Sequence, residues 1–366
     1  MTQVLNIDPQ NPQLEKIIKA ADILRQGGIV AFPTETVYGL GANFFDEKAI
    51  KKLHEVKQRP QNKPFTVHIA NLEDLSKFEC EMPLFAKELI ERFWPGPLTL
   101  IFNTKKSGKM GFRMPNNRIA LELIRQSNTL IVAPSANISG KAPPTNAQDI
   151  LSQLKDKIDL VLDAGETALG RESTVIDLTV FPYKIVREGA LERGRIAEAE
   201  FNFWKNRQSP TIKKILFVCT GNSCRSVMAE GYLRKRLGQI EREDIEVSSR
   251  GLSAPALSDP TAETMEVLKD AGIDMNSHKT MPLLDDDIKN ADLILVMEDF
   301  QREEILNKIP SARNKVYLLA EFGLWGGKVQ DEPLEIQDPI GKPLWMYKDA
   351  FIIIKNAIER LVKILV

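Results

Sequence analysis

Cys219 and Arg225 stand at the two ends of one short polar loop, in the stretch VCTGNSCRSVMAE, residues 218–230. The apolar run IKKILFVC precedes the loop and the helical pattern SVMAEGYLRKRLG follows it. At a helix start the backbone N–H groups point outward and the dipole adds about half a positive charge. An anion belongs there. A thiol in the same place sheds its proton easily, its pKa falling from about 8.5 to roughly 3.5–7.5. Cys219 is therefore a candidate nucleophile toward phosphorus. The loop amides and the guanidinium fork of Arg225 would stabilise the transition-state charge. Ser226 can hydrogen-bond the sulfur as it leaves. Gly221 and Asn222 tolerate the left-handed turns of a phosphate nest, and Thr220 and Ser223 complete the loop. Cys224 could close a reversible disulfide with Cys219, or simply pack the loop. Such chemistry also needs an acid for the leaving group. Asp338, in EIQDPIG, is far away in sequence, but loops at the carboxyl ends of a doubly wound sheet converge. His278, in NSHKT, reads as a structural hydrogen-bonding residue.

The first half gathers different residues. IVAFPTETVYGLGAN, residues 29–43, sets two threonines, a glutamate, a tyrosine and two glycines directly after a buried strand. In KKLHEVKQRPQNKPFTVHI, residues 51–69, Lys57, Arg59 and Lys63 lie near a helix end and in the loop behind it, which suits a polyphosphate. His68 sits in a strand and reads as either a structural residue or a ligand. APSANISG (133–140) and GRESTVID (170–177) offer Ser, Asn and Thr near apolar strands, where they can bond small polar ligands. KIVREG adds Arg187. There is no Walker-type loop to hold a nucleotide, and no metal-binding cluster is expected.

The elements that must position these residues alternate, strand then helix, along all 366 residues. The fold class is α/β: a twisted mixed sheet with helices in the N-terminal half, and a doubly wound parallel sheet of flavodoxin-like order in the C-terminal half. EAEFNFWKNRQSPT lacks a clean period. The expected domains are 1–202 and 213–366, with a linker over 203–212. A net charge of −1 disfavours a polyanion binder on bulk charge alone. Three cysteines, Cys80, Cys219 and Cys224, are too few for a disulfide framework, so a reducing, cytoplasmic setting is expected. No secretory signal or membrane span is expected.

Residues 213–366 resemble the low-molecular-weight protein tyrosine phosphatase family. The resemblance rests on CTGNSCRSVMAE, GLSAPALSDPTAETMEVLKDAGIDMNSHKT, ADLILVMED and the late Asp-Pro loop. It implies Cys219 as nucleophile, Arg225 as phosphate clamp and Asp338 as general acid on a phosphorylated protein, without a cofactor. Tyrosine phosphatases of this type usually carry a bulky apolar residue where this chain has Ser223, and aromatic residues after the Asp-Pro. Ser223 and DPIG look more like the bacterial protein-arginine phosphatases, which carry Thr at that place. Phosphoarginine is thus the expected substrate, with phosphotyrosine the alternative. A thioredoxin-coupled arsenate reductase would need cysteines after Cys224, and there are none.

Residues 10–195 resemble the YrdC-like threonylcarbamoyl-AMP synthases. PTETVYGLGA, KQRPQNKP with VHI, WPGPLT, Arg113-x-Pro115, PSANISG, ESTVID and REG carry the resemblance. It implies condensation of L-threonine, bicarbonate and ATP into threonylcarbamoyl-AMP and pyrophosphate. That product would feed N6-threonylcarbamoylation of tRNA through downstream tRNA-modification proteins. It further implies Thr34, His68, Arg113, Ser135 and Ser173 around threonine. Lys57, Arg59, Lys63, Asn137, Thr145 and Arg187 would hold ATP, with magnesium arriving on the nucleotide. Lys63 stands where the family often has Asn. The alternative is a nucleotide- or RNA-binding module without synthase activity.

Overall fold

Short apolar runs bounded by Pro and Gly extend into strands here, and runs with apolar residues every three or four positions coil between them. The computed structural model describes residues 1–180, 183–208, 212–323 and 335–366. The chain divides into two compact units, Met1–Ile196 and Ala197–Val366.

Unit 1 runs β1 (Gln3–Asn6), α1 (Leu14–Arg25), β2 (Val30–Phe32), β3 (Gly39–Asn43), α2 (Glu47–Lys57), β4 (Val67–His68), α3 (Leu84–Phe93) and β5 (Leu98–Thr104). It continues with β6 (Gly108–Arg113), α4 (Arg118–Ser127), β7 (Ile131–Val132), α5 (Ala147–Leu154), β8 (Leu160–Asp163), β9 (Thr174–Asp177) and β10 (Lys184–Arg187). Among the described residues these strands make one mixed sheet in the order β1-β8-β2-β3-β7-β4-β6-β5-β9-β10. The helix α4 shows why its sequence coils. Asn117 caps it by accepting from the Ala120 N–H, and Ile119, Ala120, Leu123 and Ile124 fall on one buried face. That face meets Ile17 and Leu24 of α1 and Phe32 and Leu160 of the sheet. Each buried Leu, Ile or Phe there contributes about 1.5–3 kcal/mol.

Helix α6 (Arg193–Gln208) crosses the boundary between the units. The expected linker over 203–212 is therefore helical at its start, and 209–211 lie outside the described residues. Phe203 and Trp204 are buried, and Trp204 packs edge-on to Tyr317 at 5.1 Å.

Unit 2 continues with β11 (Lys214–Cys219), α7 (Arg225–Gln239), β12 (Glu246–Gly251), α8 (Ala262–Asp270), α9 (Asp285–Asn290), β13 (Leu293–Val296), α10 (Asp299–Lys308), β14 (Val316–Leu318) and α11 (Leu344–Leu365). Its sheet is all parallel, in the order β12-β11-β13-β14. The order reverses around β11, so a crevice belongs at the carboxyl end of that strand. The last helix, α11, buries Tyr347, Phe351, Ile354, Ile358 and Leu361 along one stripe. Among the described residues no helix is long and apolar enough to cross a membrane.

Candidate active sites

In unit 2 the loop that leaves β11 turns back over its own strand end. Asn222 makes that turn, with φ at 51°. Gly221, which would also tolerate such a turn, does not enter the left-handed region. Asn222 is held on every side. Its Nδ2 donates to Ser226 Oγ at 3.0 Å and Ser249 Oγ at 2.8 Å, and its Oδ1 accepts from the Met281 N–H at 2.9 Å. Gly251 lets the loop lie flat. A Cβ there would come within 2.8 Å of both Asn222 N and Thr220 O. Ser253 N–H also donates to Thr220 O at 2.9 Å, and Thr261 N–H to Ser223 O at 3.1 Å.

Cys219 Sγ lies at the centre. Ser226 Oγ is 3.0 Å away, and the Asn222 N–H donates to the sulfur at 3.3 Å. The thiol is pulled down to about 6, chiefly by hydrogen bonding from Cys224, with help from Ser226 and the charge of Arg225, against the opposing effect of burial. The Cys224 thiol is pushed up by the same pairing and by burial. Helix α7 starts at this loop without a side-chain cap, and its Ser226 N–H turns to the Cys219 sulfur, as donors at a helix start do toward an anion.

Arg225 is fully buried at the same helix start. Its guanidinium pairs with Glu298 and Asp338 and donates to Ile336 O at 2.7 Å. Burial works against its charge, and Asp338, Cys219 and Glu298 more than restore it. Asp338 Oδ1 accepts from Cys224 Sγ at 3.4 Å and from the Ile340 N–H at 3.1 Å. The late Asp-Pro loop thus reaches the strand-end loop despite their distance in sequence. The side chain of Gln301 reaches Thr220 Oγ1 at 3.3 Å. His278 sits one step further back. Its Nδ1 is 3.6 Å from Glu230 Oε2, which accepts from Ser249 Oγ at 2.6 Å. Sequence reasoning missed Glu298, Gln301, Ser249, Glu230 and Gly251. A glycine closing a strand beside a phosphate-type loop was the available signal.

In unit 1, β4 and β6 are parallel neighbours that set His68 beside Arg113. Both are buried. Burial and the Arg113 charge push His68 down to about 3, so the imidazole is neutral. Arg113 donates to Thr36 Oγ1 at 2.9 Å and Gly96 O at 3.3 Å, and pairs with Glu35 at 2.8 Å. Thr34 Oγ1 donates to Val37 O at 2.6 Å and lies 2.9 Å from Thr36 Oγ1, which shapes the turn. Tyr38 fixes the strand behind it, donating to Gly165 O at 2.8 Å and accepting from the Ala164 N–H.

Ser173 Oγ lies 2.9 Å from Thr99 Oγ1 and accepts from Arg187 at 3.2 Å. Arg187 also pairs with Glu172 at 2.7 Å. Gly189 permits this approach, since a Cβ there would fall 2.2 Å from Glu172 O. Lys57, at the end of α2, is buried and donates to Asn137 O at 2.7 Å and to Ser135 O. Burial lowers its pKa to about 8, with Arg59 adding to the effect. Arg59 donates to Lys63 O and Pro64 O and sits over the Phe65 ring. Burial and the charge of Arg187 both lower its pKa. Two further expected residues make other contacts. The Lys63 side chain is exposed, and the contact seen there is its carbonyl. Thr145 bonds Asp149 through both N–H and Oγ1 at the start of α5.

A family model described as telomere recombination, covering Sua5, YciO and YrdC, matches residues 22–189. A second, described as low molecular weight phosphotyrosine protein phosphatase, matches residues 214–366. A putative threonylcarbamoyl-AMP synthase of Mycobacterium tuberculosis is 35% identical over 207 residues, which cover 54% of this chain and 95% of that one. The chain belongs to the Sua5/YrdC family. Its C-terminal region is a low-molecular-weight phosphatase domain. The threonylcarbamoyl-AMP synthase of Pyrococcus abyssi is 46% identical over 200 residues, 52% of this chain. The chain spans little more than half of that relative's own length, 58%. The crystal structure of P. abyssi Sua5 complexed with L-threonine matches at a TM-score of 0.53 and 30% identity, over 86% of this chain and 99% of that one.

Proposed function

We propose that this Sua5/YrdC protein is a two-activity enzyme. Unit 1 condenses L-threonine, bicarbonate and MgATP into threonylcarbamoyl-AMP and pyrophosphate, and unit 2 hydrolyses protein phosphate through a cysteinyl-phosphate. The observation that carries the first reading is the buried Arg113–His68 pair beside Thr34 and Thr36, in a unit matching a synthase family. The neutral ring and the cation would recognise the hydroxyl and carboxylate of threonine. Lys57, Arg59 and Arg187 would neutralise the phosphates of ATP, so the unit works by positioning and electrostatics. Its product would pass to tRNA-modification proteins.

The second reading rests on Cys219, 3.0 Å from Ser226 and beside Arg225. Substrate phosphate would replace the Asp338 carboxylate on Arg225. Asp338 would then face the leaving group. The thiolate attacks phosphorus, the bond to the leaving group breaks, and Asp338 supplies the proton. Water then attacks the cysteinyl-phosphate and gives a proton back to Asp338. Phosphoarginine is the substrate we favour, because Ser223 sets a hydroxyl where tyrosine phosphatases carry bulk.

Two assays test the pair. ATP should release pyrophosphate only when threonine and bicarbonate are both present; release without them, or none at all, contradicts the synthase. Hydrolysis of p-nitrophenyl phosphate should vanish in Cys219→Ser; activity surviving that change contradicts the nucleophile.

A further inference from the structure

Glu35, in the PTET turn, is only 9% exposed. Its Oε1 pairs with Arg113 Nη2 at 2.8 Å, while among the described residues its Oε2 has no hydrogen-bond partner. Buried polar groups are almost always hydrogen-bonded, and those that are not ask for an explanation. Here the surroundings supply one. Arg113 Nη2 is shared between Glu35 Oε1 and Thr36 Oγ1, so it does not serve Oε2. His68, next to Arg113 in register, also has an unpartnered buried Nδ1. One oxygen of Glu35 and one ring nitrogen of His68 therefore lie unpartnered on either side of one arginine.

The inference rests on the synthase reading of unit 1. Threonine brings three polar groups to such a site. Its carboxylate is repelled by Glu35 and suits Arg113. Its ammonium brings three donors, one of which the free Oε2 of Glu35 can accept. That ammonium must also lose a proton before its nitrogen can attack carbon. We propose that Glu35 binds the α-ammonium of threonine and accepts the proton it sheds before attack on bicarbonate. The N–H bond breaks, its electron pair stays on nitrogen, and the proton moves to the carboxylate. Nitrogen then bonds the bicarbonate carbon as the C–OH bond breaks. The departing hydroxide takes a second nitrogen proton and leaves as water, and a carbamate remains.

The charged and titratable groups around Glu35 are Arg113 from β6 and, through Arg113, His68 from β4, Arg187 from β10 and Glu172 before β9. His68 is too weak a base for this step, being held neutral by burial. The arginines do not titrate in the working range.

The test is threonine- and bicarbonate-dependent pyrophosphate release by the full chain, from about pH 6.5 to about pH 9.5, a range that spans α-amino titration. Glu35→Gln keeps the size of the side chain and an oxygen for Arg113, but cannot take a proton. Near neutrality it should be slower by roughly 100-fold or more. The deficit should shrink as pH rises and threonine arrives already deprotonated. Glu35→Asp should keep the wild-type pH profile with a raised KM for threonine. A deficit of equal size at every pH overturns the proposal, as does a wild-type rate in Glu35→Gln. If Glu35→Gln does not fold, Glu35→Asp decides, and a wild-type KM there overturns the proposal. A wild type that releases no pyrophosphate brings down the synthase reading and this inference with it. An active wild type with a flat deficit brings down only the inference.

Discussion

Ser226 Oγ lies 3.0 Å from Cys219 Sγ across the first turn of α7. With Cys224 and Arg225 it holds the thiol near 6, so the thiolate fraction grows as pH rises through that value. The acid limb of kcat/KM for p-nitrophenyl phosphate should therefore bend near pH 6. Ser226→Ala removes a hydrogen bond to a charged group, worth roughly 1.5–3 kcal/mol, and should move the bend up by about one to two units. A profile of Ser226→Ala that overlays the wild type would exclude this role.

Asn222 combines a left-handed backbone with three side-chain bonds. Asn222→Ala leaves the Met281 N–H and Ser249 wanting and keeps a Cβ at positive φ, so unit 2 should lose about 1–3 kcal/mol. Asn222→Gly relieves the backbone but not the bonds. It should be the more stable of the two variants in urea, with phosphatase kcat reduced in both. Equal stabilities would show that the backbone conformation carries no strain.

Gly251→Ala drives a methyl into Asn222 N, Thr220 O and Ala254 Cβ, all within 2.8 Å. Phosphatase kcat should fall, and stability should fall by roughly 1–3 kcal/mol. Wild-type kinetics in Gly251→Ala would show that the loop can shift without harm.

Arg113 is the charge partner of buried Glu35. Arg113→Ala strands that carboxylate and should destabilise unit 1 by about 3–5 kcal/mol, read from denaturant midpoints. Arg113→Lys keeps the charge but not the fork. It should be milder in stability and still raise the KM for threonine. A neutral Arg113→Ala midpoint would show that Glu35 needs no partner.

Phosphoarginine peptide should be hydrolysed faster than phosphotyrosine peptide, and Ser223→Thr should widen the gap. Faster phosphotyrosine turnover would overturn the reading of Ser223.

Local chemistry was legible in the sequence. The loop from Cys219 to Ser226 could be read because strand, loop and helix follow one another, and helix termini attract anions whatever surrounds them. Asp338 could be placed because parallel topology fixes where loops gather. Partners set by register were not legible: Glu298, Gln301 and Ser249 reach the loop only through the pairing of β11 with β12 and β13. Glu35 read as one polar residue among several, since nothing in PTET says which side chain turns inward. The helix over the start of the expected linker, with the packing of Phe203 and Trp204, was not legible in a stretch of weak periodicity. The placement of the Lys63 side chain was not legible either. A basic residue near a polyphosphate loop need not point into it, and this one is exposed.

The most direct test of two separate activities in one chain is a paired assay on Cys219→Ser. Pyrophosphate release dependent on threonine and bicarbonate should match the wild type, while p-nitrophenyl phosphate hydrolysis should be gone. Loss of the first, or survival of the second, would contradict the account.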